Sequence, residues 1–258
     1  MEEVILRRGL KMIKEIFEQS TQSQDEDLFR IPDIINSLDE KQIQSKQWLV
    51  DTLASVLAGG NIQINNETGS IPNPPATEFE TIVIGGGWYG LLGYLLKLKF
   101  PDSSIVNTDI DENAIVIAEK MFPEITHEVI DMVNENYYDK HGKEDNWRTD
   151  PWDKSVPLHW HDRTKKDLHW HKKHKKRVFI STSIEHIHVD DVDSILFYNP
   201  NKTVVLQSND YFDHPTHINC SETLDDFKEY ISPMLKEVYY AGELYLDDYT
   251  RFMIIGKT

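Results

Sequence analysis

The chain has 258 residues, with 44 acidic side chains against 27 basic ones and a formal net charge of −17. An apolar share of 39% supports a real core and excludes general disorder, and the length allows one large α/β domain with an accessory element. Charge of this sign and size excludes a nucleic-acid binder that uses its whole surface, while leaving room for a local basic patch.

One cysteine, Cys220, permits no intramolecular disulfide. The opening segment, MEEVILRRGLKMIKEIF, is charged throughout and lacks a signal peptide's apolar run. No segment approaches the ~20 apolar residues of a membrane span. The expectation is a soluble, cytoplasmic protein with no membrane partner.

Val4, Ile5, Leu10, Ile13, Ile16 and Phe17 recur at helical spacing, which predicts a helix over residues 1–20. Leu28–Leu38 reads as a shorter one. Ser37 or Asp39 can cap a third helix running to Ala58, with Trp48, Leu49, Leu53, Val56 and Leu57 as its buried face and Gly59-Gly60 as its stop. Residues 1–60 are therefore a helical N-terminal extension, and residues 61–78 (NIQINNETGSIPNPPATE) a turn- and proline-rich linker. The extension either lies over a ligand pocket or simply packs on the sheet.

Thr81–Ile84 is β-branched throughout, as a strand covered on both faces should be. Gly85, Gly87 and Gly90 follow at G-x-G-x-x-G spacing before a helical stretch, Leu91–Phe100. A second strand, Ser104–Thr108, ends at Asp109, about twenty residues beyond the glycines, where a carboxylate can accept ribose hydroxyls. This order defines a nucleotide- or nucleoside-binding βαβ unit; the alternative is a glycine turn that only packs helix on sheet. Ile110-Asp111-Glu112-Asn113-Ala114 opens the next helix with acids at its N-terminus, and Asp131 follows a short strand, Thr126–Ile130.

Residues 137–177 form an insert with four of the six tryptophans, two His-Trp-His triplets (His159–His161 and His169–His171) and a dense run of Lys and Arg up to Arg177. A loop of this length is functional or disordered. Three readings stand: nucleic-acid contact over residues 159–177, with cations for phosphate and rings for bases; a Zn²⁺ or Ni²⁺ site on histidines at i, i+2; or a solvated loop pairing with acidic surface.

Val178–Ile187 (VFISTSIEHI) is a strand running into a polar loop, Thr203–Gln207 a fifth strand, and Glu237–Tyr240 and Thr250–Gly256 two last strands. Ser181, Thr182, Ser183, Glu185 and His186 follow the fourth strand. Ser208, Asn209, Asp210 and Tyr211 follow the fifth, with His214, His217 and Asn219 close behind. Cys220, in Ile-Asn-Cys-Ser, reads as a structural cysteine rather than a nucleophile.

Over residues 78–258 this order resembles the class I S-adenosylmethionine (SAM) methyltransferases. The resemblance implies a Rossmann-like α/β sheet, mostly parallel with an antiparallel last strand, over residues 79–258. It implies SAM as cofactor, held at Gly85, Gly87, Gly90, Asp109, Ile110, Asp131, Ser181 and Thr182, with Asp109 on the ribose and Asp131 on the adenine side. Catalysis then falls to Glu185, His186, Asn209 and Tyr211, and no metal is expected among these residues. More narrowly, STSIEHI, VVLQSNDYF and YTRFMIIG resemble methyltransferase-like proteins often found in phage genomes, which would place the protein in a host cytoplasm. Two departures stand out. Ile84 replaces the acid usual at the end of the first strand, and the [DNS]-P-P-[YFW] tetrapeptide of amino-methylating enzymes is absent after the fourth. The acceptor, nucleic acid or small molecule, is not implied. Asn107–Asp111 also resembles nicotianamine-synthase-like aminocarboxypropyl transferases, and a third reading is a methyltransferase fold kept as a binding or assembly module. NAD or FAD chemistry is weaker, because no flavin- or substrate-domain signal follows the glycines.

Overall fold

Seven strands form one sheet: β1 (Thr81–Gly85), β2 (Ser104–Asp109), β3 (Thr126–Val129), β4 (Arg177–Ser181), β5 (Thr203–Asn209), β6 (Glu237–Tyr245) and β7 (Thr250–Lys257). Their order is β3-β2-β1-β4-β5-β7-β6. The first five run parallel, and β7 lies antiparallel to both β5 and β6. This computed structural model describes residues 2–20, 27–59, 63–64, 67–68, 80–132, 177–197 and 201–258. The insert readings for residues 137–176 lie outside the described residues, as does most of the linker.

The β-branched run of β1 is explained by its place. Ile82 and Ile84 are fully buried, with β2 and β4 on either side and helices over the sheet. The helices are α1 (Glu2–Ser20), α2 (Ile31–Ser37), α3 (Glu40–Leu57), α4 (Leu91–Lys99), α5 (Glu112–Met121), α6 (Val189–Phe197) and α7 (Leu224–Ile231). β6 runs five residues beyond the expected Tyr240, because β7 pairs with it along its length as far as Tyr245↔Thr250. The parallel order reverses between β1 and β4, and ligands in open sheets of this kind bind beyond the strand C-termini near that reversal.

The N-terminal helices share the core of the sheet. Ile5, Met12, Ile16, Ile34, Leu49 and Leu53 belong to one buried cluster with Ile82, Leu92, Leu96 and Ile255. In α1 the buried stripe is Ile5, Gly9, Met12 and Ile16, whereas Val4 and Leu10 are 45% and 66% exposed. The expected apolar face is thus rotated. Gly9 belongs to the stripe because a Cβ there would overlap the Leu38 side chain. Asp39, not Ser37, caps α3, accepting from Gln42 N at 2.7 Å, while Ser37 Oγ donates to Ile34 O at 2.8 Å. A second cluster, with Phe179, Ile184, Val192, Leu206, Phe227 and Ile254, fills the other side of the sheet.

Candidate functional site

Gly85 ends β1 in register with Thr108 and Ser181, so three strand ends meet there. Met132, just past β3, packs where a Gly85 side chain would stand. Gly87 donates from its N–H to Thr108 O at 2.8 Å, and a Cβ there would overlap the Asn107 amide oxygen, so the turn sits directly on β2. Gly90 precedes α4 at φ +84, a left-handed conformation that favours glycine. Between them Trp88 also adopts a positive φ of 49. Its N–H donates to Asp109 Oδ2 at 2.8 Å, which ties the turn to the acid at the end of β2.

Asp109 accepts a second bond on its other oxygen, from Asp111 N at 3.0 Å. Each carboxylate oxygen accepts two bonds, so one acceptor position remains on each oxygen of a half-buried side chain. Ile110 beside it is 67% exposed, an apolar side chain at the rim of the turn. Ser181 Oγ, at the end of β4, is buried without a hydrogen-bond partner among the described residues, and Thr182 next to it is buried too. Asp131 is half-buried beyond β3, close enough to Asp191 to add to the burial that raises that carboxyl. An acid with open acceptor positions, an apolar rim and a buried hydroxyl thus meet at this edge, and Ile84 supplies no charge there.

The extension reaches this edge. Arg30 pairs with Asp111, with a second contact at 3.2 Å. Asp111 also caps α5 through Asn113 N and Ala114 N at 3.0 and 3.2 Å. Burial works against the Asp111 carboxylate, but Arg30 and these two N–H groups outweigh it and hold its carboxyl below the ordinary range.

At the ends of β4 and β5 the expected catalytic residues divide. Glu185 is 3% exposed. Its Oε1 accepts from Arg251 Nη1 at 2.6 Å and from Asn209 Nδ2 at 2.8 Å, and its Oε2 is buried with no partner. Arg251 stands opposite Asn209 across the β5/β7 pair, so the antiparallel return of β7 builds this ion pair. Burial opposes the Arg251 charge, yet Glu185 and Tyr249 more than restore it and keep the guanidinium above its already high ordinary value. Arg251 Nε also meets Ser45 Oγ of α3 at 3.4 Å. Asn209 spans the site, with its Oδ1 accepting from Tyr211 N at 3.0 Å. Glu185, expected beside His186 among the catalytic residues, is thus held by Arg251 and Asn209.

His186 lies exposed in the turn after β4. Its Nδ1 meets Thr216 O at 3.2 Å and Thr216 Oγ1 at 3.0 Å. The loop after β5 folds back against it: Ile218 N and Asn219 N both donate to Glu185 O, at 2.8 and 3.1 Å. This brings the rings of His186 and His217 to 4.6 Å, and those of His214 and His217 to 4.7 Å. Tyr211 lies 5.8 Å from His217 and 6.0 Å from Tyr249. Cys220 lies beneath, its Sγ 3.3 Å from Asn209 Oδ1; burial, then Glu185 and Asp210, push its thiol up to about 11. The sequence reading placed His186, His214 and His217 at two adjacent strand ends, and it passed over Arg251. Only the pairing of β5 with β7 could have drawn attention to that arginine.

No family model matches the chain, and no curated protein is similar to it in sequence. In structure it is similar to an O-methyltransferase family protein from Burkholderia thailandensis, at 10% identity over 100% of this chain and 72% of that one, with a TM-score of 0.49. It is similar to the SAM-dependent methyltransferase SibL in its apo form, at 12% identity, 69% of this chain and a TM-score of 0.42, and spans 50% of that protein's chain. A TehB-like SAM-dependent methyltransferase from Corynebacterium glutamicum matches 83% of this chain and 98% of its own at 14% identity, with a TM-score of 0.40. The sheet is the Rossmann-like one expected from sequence, mostly parallel with its last strand antiparallel. Nothing in these likenesses speaks to a phage source. Among the described residues, no helix is long and apolar enough to cross a membrane.

Proposed function

We propose that the protein is a SAM-dependent methyltransferase. The observation that carries this reading is the bond between Trp88 N–H and Asp109, which fixes a ribose-type acid against a glycine turn at the C-terminal edge of the sheet. SAM, when bound, would supply a methyl group on a sulfonium: an acceptor's lone pair would bond the methyl carbon in line as the carbon–sulfur bond breaks, with S-adenosylhomocysteine as the leaving group. Asp109 holds the ribose through its two remaining acceptor positions, and Ile110 gives the adenine an apolar neighbour. Ser181 Oγ and the turn's backbone are available to the rest of the cofactor. The acceptor enters over the ends of β4 and β5, where Tyr211 and the histidine cluster form a polar, partly exposed rim. Any proton on the acceptor has an imidazole at hand there. Positioning of the two reactants does the remaining work.

Isothermal titration with SAM and S-adenosylhomocysteine tests the reading directly. The intact protein should bind both, and Asp109→Ala should weaken binding by about 1.5–3 kcal/mol, as for a hydrogen bond to a charged group. Tight NAD binding with no SAM binding would overturn it. Release of methylthioadenosine in place of S-adenosylhomocysteine would redirect it to aminocarboxypropyl transfer.

A further inference from the structure

The histidine cluster has a property that general base chemistry does not require. A carboxylate oxygen of Glu185 and one ring nitrogen each from His186 and His217 lie within 4.8 Å of one another. Ligands about 2.0–2.2 Å from a tetrahedral Zn²⁺ stand roughly 3.4 Å apart, so small rotations of two imidazoles at the surface close the set. We propose that Glu185, His186 and His217 form a binding site for one divalent transition-metal ion.

Three observations support the site. The first is the orphaned oxygen: Glu185 is 3% exposed, and its Oε2 has no hydrogen-bond partner among the described residues. A buried carboxylate oxygen without a donor is costly, and a cation satisfies it. The second is the setting of the two rings. His186 Nδ1 meets Thr216 O at 3.2 Å, and His217 Nδ1 meets Tyr211 O at 2.6 Å. A carbonyl only accepts, so Tyr211 assigns the His217 proton to Nδ1 and leaves Nε2 its lone pair, as in metal-ligating histidines; at His186 the Thr216 hydroxyl, 3.0 Å from Nδ1, donates or accepts and suits either ring nitrogen as ligand. The third is the carboxylate's own support, with Arg251 and Asn209 both on Oε1, so the ligand is fixed before an ion arrives. Arg251 also withdraws charge from that carboxylate, so the affinity is moderate rather than extreme. Two imidazoles and one carboxylate suit Zn²⁺ or Co²⁺ and leave a coordination position open. The opening lies beyond β4 and β5, where an oxygen of the acceptor would take it and lose its proton more readily. That role in the transfer rests on the function proposed above; ion binding does not.

Cobalt titration of the full-length chain, without SAM, provides the test. Co²⁺ should bind one equivalent with visible d–d absorption, and Zn²⁺ should displace it. The His186→Ala/His217→Ala double variant, at one exposed and one half-buried position, should keep its circular dichroism and lose roughly a hundredfold in Co²⁺ affinity. A variant with His159, His161, His169 and His171 changed to Ala should bind as the parent does. No Co²⁺ spectrum with the parent chain, a spectrum that survives the double change, or one lost only with the four insert histidines would overturn the proposal. Ion binding without SAM binding would overturn the methyltransferase reading alone.

Discussion

Arg251 and Glu185 are the pair on which the acceptor side of the molecule rests, with side chains 7% and 4% exposed and 2.6 Å apart. Removing one member leaves the other charge buried without its partner, which is costlier than never having had the pair. Arg251→Ala should therefore lose about 3–5 kcal/mol in urea unfolding, and an apolar double replacement such as Glu185→Leu/Arg251→Met should recover most of it. A loss below about 1 kcal/mol in the single variant would mean that water reaches the pair. Cys220 gives a second check on the same pocket. With its thiol at about 11, almost no thiolate exists at pH 8. Alkylation by iodoacetamide should run on the order of a hundredfold slower than for a free cysteine and accelerate only as pH approaches the raised value. Rapid labelling at pH 8 would contradict the burial that keeps this sulfur a bystander.

Single elements are tied to the body by contacts of a different weight. α1 is held at its middle by Arg8, whose guanidinium lies 4.6 Å from the Tyr94 ring and donates to Met121 O at 3.0 Å and Glu124 at 2.9 Å. The Arg8 hydrogen bond overcomes partial burial and holds the Glu124 carboxyl below its ordinary range. A depressed carboxyl stabilises the fold fully above its unfolded pKa, and this contribution is lost as pH falls through the depressed value. Both side chains are partly in water, so the tether is modest: Arg8→Ala should cost about 1–2 kcal/mol from the ion pair and the ring contact together. Amide exchange in α1 should rise in that variant at neutral pH, and in the parent only on acidification; equal protection in both would remove Arg8 from this role. The strands were legible from sequence because β1 is a β-branched run closed by glycine and β2 is a short strand closed by an acid. α1 was legible as a helix but not in its facing. The buried stripe runs through Gly9, whose value is the room it leaves for Leu38, and hydrophobic spacing gives glycine no weight. The Glu185–Arg251 pair was not legible at all, because β7 folds in between β5 and β6 and pairs residues far apart in the chain.

At the scale of the whole molecule, the helical extension is part of both the core and the site edges. Leu49, Leu53 and Val56 of α3 share a buried cluster with Leu92 and Leu96 of α4 and with Tyr240 and Ile255 of the sheet. The same extension places Ser45 on Arg251 at one edge and Arg30 on Asp111 at the other. From sequence, an extension over the pocket and an extension packed on the sheet were separate alternatives; the structure shows the packing, with α3 in the core of the sheet and Arg30 on Asp111. The chain should therefore melt in a single transition, and Leu53→Ala, at a fully buried position, should lower stability by about 2–5 kcal/mol. Deleting residues 1–59 should do more than weaken the fold: the apolar surfaces of α4 and the β6/β7 pair would face water together, giving a chain that binds hydrophobic dyes and unfolds without cooperativity. Arg30→Ala separates the two contributions. It removes the contact to Asp111, beside Asp109, and an interaction with Tyr89, so it should shift SAM binding while leaving the melting transition near that of the parent. If the truncated chain melts cooperatively and binds SAM as the full chain does, the helices are an appendage, and Arg30 has no part in the site.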